Sequence, residues 1–191
     1  MNIVRSLSVY NVDKVDHLVF PEEFEGVSTK SSALKIFTDF KFHNPLVIEA
    51  GLSLSEAERL MKKAHVRLKL VVDDNENFVG TISLDNFSEE RIVLKVASGV
   101  RRDELKVSDM MIPRSNVKAL DYNEVASATI DDIIHVLQDH GEQHCLVVDE
   151  DKHHIRGVIS ASDIARRLHI DIPIMSSSPS SFYEVYTALK Q

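Results

Sequence analysis

Leu70-Val71-Val72-Asp73-Asp74 recurs as Leu146-Val147-Val148-Asp149-Glu150, and Gly80-Thr81-Ile82-Ser83-Leu84-Asp85-Asn86-Phe87 recurs as Gly157-Val158-Ile159-Ser160-Ala161-Ser162-Asp163-Ile164. The first offset is 76 residues and the second 77, so the second copy carries one more residue in its hairpin. Solenoid periods run about 20–50 residues, so the longer offset points to a tandem of two small α/β units. Two such units side by side create a pseudo-twofold cleft, a natural place for a ligand.

The local patterns around the repeat fill in both units. Ser31 to Phe40 spaces Leu34, Phe37 and Phe40 as a helix, with Ser31 or Ser32 as its cap. Asn44-Pro45 breaks it, and Leu46-Val47-Ile48 reads as a short buried strand. A helix opened by Ser53 or Ser55 puts Ala57, Leu60, Met61 and Ala64 on one face. Leu68 to Val72 and Phe78 to Ser83 form a hairpin around the turn-rich Asp73-Asp74-Asn75-Glu76-Asn77. A helix then runs from about Asp85 to Ala97, with Gly99 ending it.

The order repeats. Val107-Ser108-Asp109-Met110-Met111 is a capped helical turn, and Val117 to Leu120 is a strand. Thr129 caps a helix carrying Ile130, Ile133, Ile134 and Leu137. Cys145 to Val148 and Ile155 to Ser160 form the second hairpin, and Asp163 to His169 starts the last helix. The stretch from Asp121 to Ala128 is longer than its counterpart. The reading divides the chain into an N-terminal extension (1–30, with a short strand at Leu7 to Val12), a first repeat (31–105), a second repeat (106–170) and a linker with a tail helix (171–191). Phe182, Val185, Tyr186 and Leu189 share one face of that tail.

Composition narrows the class. The chain has 191 residues, 43% of them hydrophobic and 27% charged, in the range of ordinary globular proteins. Its net charge of −8 argues against a nucleic-acid partner. Cys145 is the only cysteine, which rules out an intrachain disulfide and fits a reducing compartment. No apolar run approaches the roughly 20 residues that span a bilayer, and no signal-type apolar core follows the N-terminus. These features lead us to expect a cytoplasmic protein without membrane insertion.

The β-α-β-β-α order, the Val-Val-Asp strand ends and the Gly-hydrophobic-Ile-Ser-x-x-Asp-Ile segment resemble the cystathionine-β-synthase (CBS) domain. Two copies resemble the CBS pair called a Bateman module. The resemblance covers residues from about 31 to 170 and implies an α/β (α+β) fold of two pseudo-twofold-related repeats. It implies a regulatory module binding an adenosine-containing ligand (AMP, ADP, ATP or S-adenosylmethionine), paired as a homodimer and acting on an effector protein in trans, with no cofactor required. The main rival is an interaction scaffold with decayed ligand sites. A His-rich metal sensor is a third reading.

The chemistry of the repeated segment can be read directly. Ser160 at a strand end and Asp163 at a helix start place a hydroxyl and a carboxylate beside free N–H groups and a positive helix end, which favours phosphate oxygens. A carboxylate can also accept both hydroxyls of a ribose. Ser and Asp are equally favoured as helix caps, so capping is the alternative. The family resemblance favours the ligand. The first copy offers Ser83 but Asn86 in place of the aspartate, and Asn pairs a diol less well than a carboxylate. Asp85 lies one position early, about 100° away on an α-helix. The working site is therefore expected at Ser160 and Asp163 with Ile159, and the Ser83/Asn86 cleft is expected to be weak or empty. The resemblance places His43, Asn44, Leu46 and Val47 against the adenine, and Arg67 and His144 against the phosphates.

Nine histidines are many for this length, yet no Cys-x-x-Cys or His-Glu-x-x-His pattern is present. His140 and His144 are four apart, but Gly141 is expected to end the helix between them. His153-His154 reads as an exposed hairpin tip, and no metal site is assigned. The chain has no glycine-rich phosphate loop, nucleophile elbow or kinase signature, so no catalytic residue is assigned.

Overall fold

A computed structural model of the protein describes residues 26–170 and 172–174. The short strand at residues 7–12, most of the linker and the tail helix lie outside the described residues. The described residues form two four-stranded sheets, each with helices packed against it.

In the first sheet β2 (Val47–Glu49) runs parallel to β3 (Leu68–Val72), and β3 forms a hairpin with β4 (Phe78–Ser83). Asp73 shapes the turn by accepting backbone hydrogen bonds from Asn75 and Asn77, both at 2.9 Å. Helix α1 (Leu54–Lys63) buries Leu54, Ala57 and Met61. The sequence predicts one helix from Asp85 to Ala97; the chain instead makes a 3₁₀ turn at Leu84–Phe87 and then α2 (Glu89–Ala97). Ser88, in extended backbone, separates the two.

The second sheet repeats the plan with β6 (Ala119–Asp121), α5 (Ile130–His140), the hairpin β7 (His144–Asp149) and β8 (His154–Ser160), and α6 (Ala161–Leu168). Thr129 caps α5, and Gly141 ends it in the left-handed region at φ 65°. The longer stretch after β6 is a helix of its own, α4 (Tyr122–Ser127), capped by Asp121.

The fourth strand of each sheet comes from the opposite repeat. β1 (Thr38–Asp39) pairs antiparallel with β8, and β5 (Ile112–Pro113), which follows the short helix α3 (Val107–Met110), pairs with β4. The registers match: Thr38 lies opposite Val158 as Ile112 lies opposite Thr81, and Asp39 lies opposite Gly157 as Pro113 lies opposite Gly80. The cores follow this exchange. Ala33 and Ile36 pack with Ile130, Leu137, Val147 and Ile159, while Leu105, Val107 and Met110 pack with Met61, Val71 and Ile82.

The exchange overrides the helix expected over residues 31–40. Only a 3₁₀ turn forms at Ala33–Lys35, with the Ser32 side chain accepting from the Leu34 N–H. Ala33 and Ile36 are buried and Leu34 is exposed, because the chain must then extend along β8.

A mostly buried ion pair fixes β1 in place. Arg156 on β8 donates from Nε to Asp39 Oδ1 at 2.8 Å and from Nη2 to Oδ2 at 2.7 Å. Its guanidinium lies 4.2 Å from the Tyr122 ring centroid. The hydrogen bond from Arg156 holds the Asp39 carboxyl below the ordinary carboxylate range. A depressed folded-state pKa stabilises the fold above the ordinary Asp value near 3.9, and that contribution is lost as pH falls through the folded value. Asp39→Asn should cost about 1–3 kcal/mol at neutral pH. Denaturant melts at pH 7 and pH 3 should show the gap from the wild type narrowing in acid.

Candidate functional site

A cleft of about 590 Å³ lies on the inter-repeat surface. One side is an apolar slot formed by Leu46, Val66, Leu68, Leu70 and Val158. Ser160, Ser162 and Asp163 line the far side where β8 meets α6. Thr38, Phe40, His43 and Asn44 form the rim, carried there by the exchanged β1 and the chain after it. His65, Arg67, His144 and Arg166 add basic groups.

Of the residues singled out from sequence, His43, Asn44, Leu46, Arg67, His144, Ser160 and Asp163 share this cleft. Ile159 does not. Strand alternation sends Val158 and Ser160 to the cleft and Ile159 into the core, where it is fully buried. Val47 is also absent from the lining; its side chain is half exposed. Alternation along β8 could have selected Val158. Arg166, one helical turn after Asp163, was likewise open to a periodicity argument. Thr38 and Phe40 had no such signal, because they arrive by strand exchange.

The repeated motif is used differently in its two copies. In the first, Asn86 is buried, and its Oδ1 accepts from the Ser83 N–H at 2.7 Å and from Ser83 Oγ at 3.0 Å. The side chains close on each other as a local cap. In the second, Ser160 is the N-cap residue but makes no side-chain cap hydrogen bond. Its Oγ lies 2.8 Å from Ser162 Oγ, and Asp163 pairs with the exposed Arg166. The capping alternative therefore describes Ser83 and Asn86 and does not describe Ser160 and Asp163.

Strand registers show why the clefts differ. Val47 faces Leu70 as Ala119 faces Leu146, which equates Leu46 with Lys118 and Val66 with Glu142. Leu68 pairs with Ser83 as His144 pairs with Ser160. The mate of the apolar slot thus has Lys118, Glu142, His144 and Thr81 where the large cleft has Leu46, Val66, Leu68 and Val158, and it encloses only about 40 Å³. Beside it a recess of about 310 Å³ is lined by Ser83, Asp85 and Gln143, again with Arg67 and His144. Asn86 is not in that lining. Asp85, set aside on α-helical geometry, is, because the turn carrying it is 3₁₀.

Arg67 and His144 thus stand between the two clefts. The Arg67 carbonyl accepts from Leu84 N–H at 3.1 Å, and the equivalent Gln143 carbonyl accepts from Ala161 N–H at 3.0 Å, so both strand starts are tied to the turns beside them. Burial lowers the His144 pKa; Asp163 and Asp85 oppose the shift and Arg67 adds to it. At neutral pH the imidazole is therefore uncharged, with one nitrogen donating and one accepting. His153 and His154 are exposed at a hairpin tip. Cys145 is buried, its thiol pushed up to about 11 by desolvation. Among the described residues, no group of three His, Cys, Asp or Glu is placed to hold a metal ion, and no helix is long and apolar enough to cross a membrane.

Comparison with known proteins agrees with this architecture. The family model of the CBS domain matches residues 37–92 and 107–170, more than half of the chain. An uncharacterized conserved protein from Pyrococcus horikoshii superposes with a TM-score of 0.56 at 19% identity, covering 78% of this chain and 100% of its own. A CBS-domain-containing protein from Agrobacterium tumefaciens gives 0.54 at 17% identity, covering 79% and 98%. CBSX2, solved in complex with AMP, gives 0.52 at 21% identity, covering 71% and 94%. At these identities the likeness is one of fold. No curated protein matches the sequence. The doubled motif, the reciprocal strand exchange and the two family matches together place this chain in the CBS-domain family, as a tandem pair.

Proposed function

We propose that this CBS pair is a non-enzymatic regulatory module that binds one adenosine-containing ligand in its large cleft and passes the occupancy on to an effector protein. The observation that carries the reading is the chemistry of that cleft. An apolar slot for a heterocyclic base, an uncapped Ser160/Asp163 element and the Arg67/His144 pair all open on one 590 Å³ space. Leu46, Val66, Leu68, Leu70 and Val158 suit the faces of a purine. Asp163 can accept from two ribose hydroxyls, and Arg67 suits a phosphate. A neighbour of the same fold was solved in complex with AMP, which is consistent with this use.

The pair is further proposed to act as a homodimer in the cytoplasm. α2 leaves Val93, 58% exposed, and Val96 on its open face, which a second copy would cover.

Ligand binding should stabilise the fold by mass action, by about 2.7 kcal/mol at a free concentration of 100 times Kd. For a chain of this size that raises the melting midpoint by roughly 5–10 °C. A thermal-shift screen of AMP, ADP, ATP and S-adenosylmethionine at millimolar concentration checks this. The rival reading, a scaffold with decayed sites, draws on the self-capped Ser83–Asn86 pair and the 40 Å³ mate slot. It would be established if no compound moved the midpoint.

A further inference from the structure

One position separates the two repeats on the helix side of their sheets. Val47 pairs with Leu70 as Ala119 pairs with Leu146, which equates Lys69 on β3 with Cys145 on β7. The neighbouring helix ends keep the same offset, since the Val66 N–H bonds to the Met61 carbonyl as the Glu142 N–H bonds to the Leu137 carbonyl. In the first repeat the Lys69 side chain crosses to β2, and its ammonium donates to the Val47 carbonyl at 3.1 Å. In the second repeat the shorter Cys145 cannot make that reach. Its Sγ meets the Lys118 carbonyl at 3.8 Å, and a cavity of about 250 Å³ opens beside it.

Ala119, Leu120, Val136 and Leu137 give this cavity an apolar wall, and His140 and Glu142 give it a polar end. It shares no lining residue with the large cleft. Its volume lies below the roughly 300–1,000 Å³ of sites for drug-sized ligands, so its occupant is small. Its surroundings favour a cation. Val136, Leu137 and His140 belong to the last turn of α5, the negative end of the helix dipole. The half-buried Glu142 adds a carboxylate whose charge reaches the Cys145 thiol, offset in smaller part by Lys118. Desolvation and Glu142 together push that thiol up to about 11, so it faces the cavity as a neutral group without an anion's reactivity.

We propose that this cavity binds a small primary alkylammonium, its chain along the apolar wall and its ammonium between the Glu142 carboxylate and the Ala119 carbonyl. The ligand takes the place that the Lys69 side chain fills in the first repeat, and the Ala119 carbonyl is the counterpart of the Val47 carbonyl that Lys69 reaches. Glu142 stands where the first repeat has Val66, so the second repeat supplies a counter-ion where the first supplies the cation itself. The site is independent of the nucleotide reading of the large cleft.

Cys145 is the only cysteine, so the rate of thiol labelling of the full chain reads this cavity alone. Labelling with an aromatic disulfide reagent is followed in rising n-butylammonium chloride, with sodium chloride at matched ionic strength and butan-1-ol as controls. Butylammonium should slow the reaction saturably. Butan-1-ol should need at least about ten times the concentration for the same slowing, the factor carried by one charge-assisted hydrogen bond. Glu142→Gln should weaken the butylammonium effect by a similar factor and leave that of butan-1-ol unchanged. Cys145→Lys should fill the cavity from within, so saturation-transfer NMR should detect bound butylammonium in the wild type and none in this variant. Melts confirm folding, and if Cys145→Lys does not fold, the Glu142→Gln comparison decides. Equal protection by butan-1-ol, an unchanged response in Glu142→Gln, or no slowing by butylammonium would overturn the proposal.

Discussion

Asp163→Ala should weaken AMP binding tenfold or more while leaving the fold nearly unchanged. The carboxylate lines the large cleft and can accept two charge-assisted hydrogen bonds from a ribose. Each is worth roughly 1.5–3 kcal/mol, so losing one removes at least about a tenfold factor. In the protein its partner is Arg166, whose side chain is 74% exposed, and such a pair adds little to stability. With the helix-end charge included, the stability loss stays under about 1 kcal/mol. The equivalent change in the first repeat should do the opposite. Asn86→Ala strips the half-buried Ser83 N–H of its acceptor, a loss of roughly 1–3 kcal/mol in stability, without touching the large cleft. Calorimetry and melts on the two variants check both halves. Unchanged affinity in Asp163→Ala with loss in Asn86→Ala would place the working site in the wrong repeat.

Gly157→Ala should be the most destabilising small substitution in the chain. A Cβ there would lie 2.2 Å from the Thr38 carbonyl oxygen and 2.4 Å from the Phe37 ring. The nearest clash is with backbone, so β1 would have to lift off β8 and loosen the Asp39–Arg156 pair with it. Overpacking of this kind costs typically 1–3 kcal/mol, and the loss of strand pairing adds to it. The midpoint should fall by roughly 5–10 °C in a chain of this length. Gly80→Ala should behave alike, since its Cβ would meet the Ile112 carbonyl oxygen at 2.3 Å. An unaltered melting curve for Gly157→Ala would mean that the exchanged strand does not pack as described. The two repeated glycines are thus explained by what crosses over them: each gives room for the exchanged strand of the other repeat.

How much of this could be read beforehand depends on range. β3, β4, α5 and its caps follow from local rules, because alternation, turn residues and Thr129 act within a few positions. β1 and β5 are two residues long, and their partners lie more than thirty residues away in sequence. No local pattern marks such pairings, and they overrode the helical spacing of Leu34, Phe37 and Phe40. The cleft divides in the same way. Ser160, Asp163, Arg67 and His144 lie on or beside the repeated hairpins, so the repeat exposed them. Ile159 adjoins Ser160 in sequence, whereas strand alternation turns it to the core. Thr38 and Phe40 depend on the exchange, and Asp85 depends on a turn being 3₁₀.

If the two repeats build one working nucleotide cleft, native mass spectrometry of the full chain titrated with AMP should saturate at one AMP per chain, on a species of twice the chain mass, with the adduct lost in Asp163→Ala. Two AMP per chain, or none at saturating concentration, would contradict it.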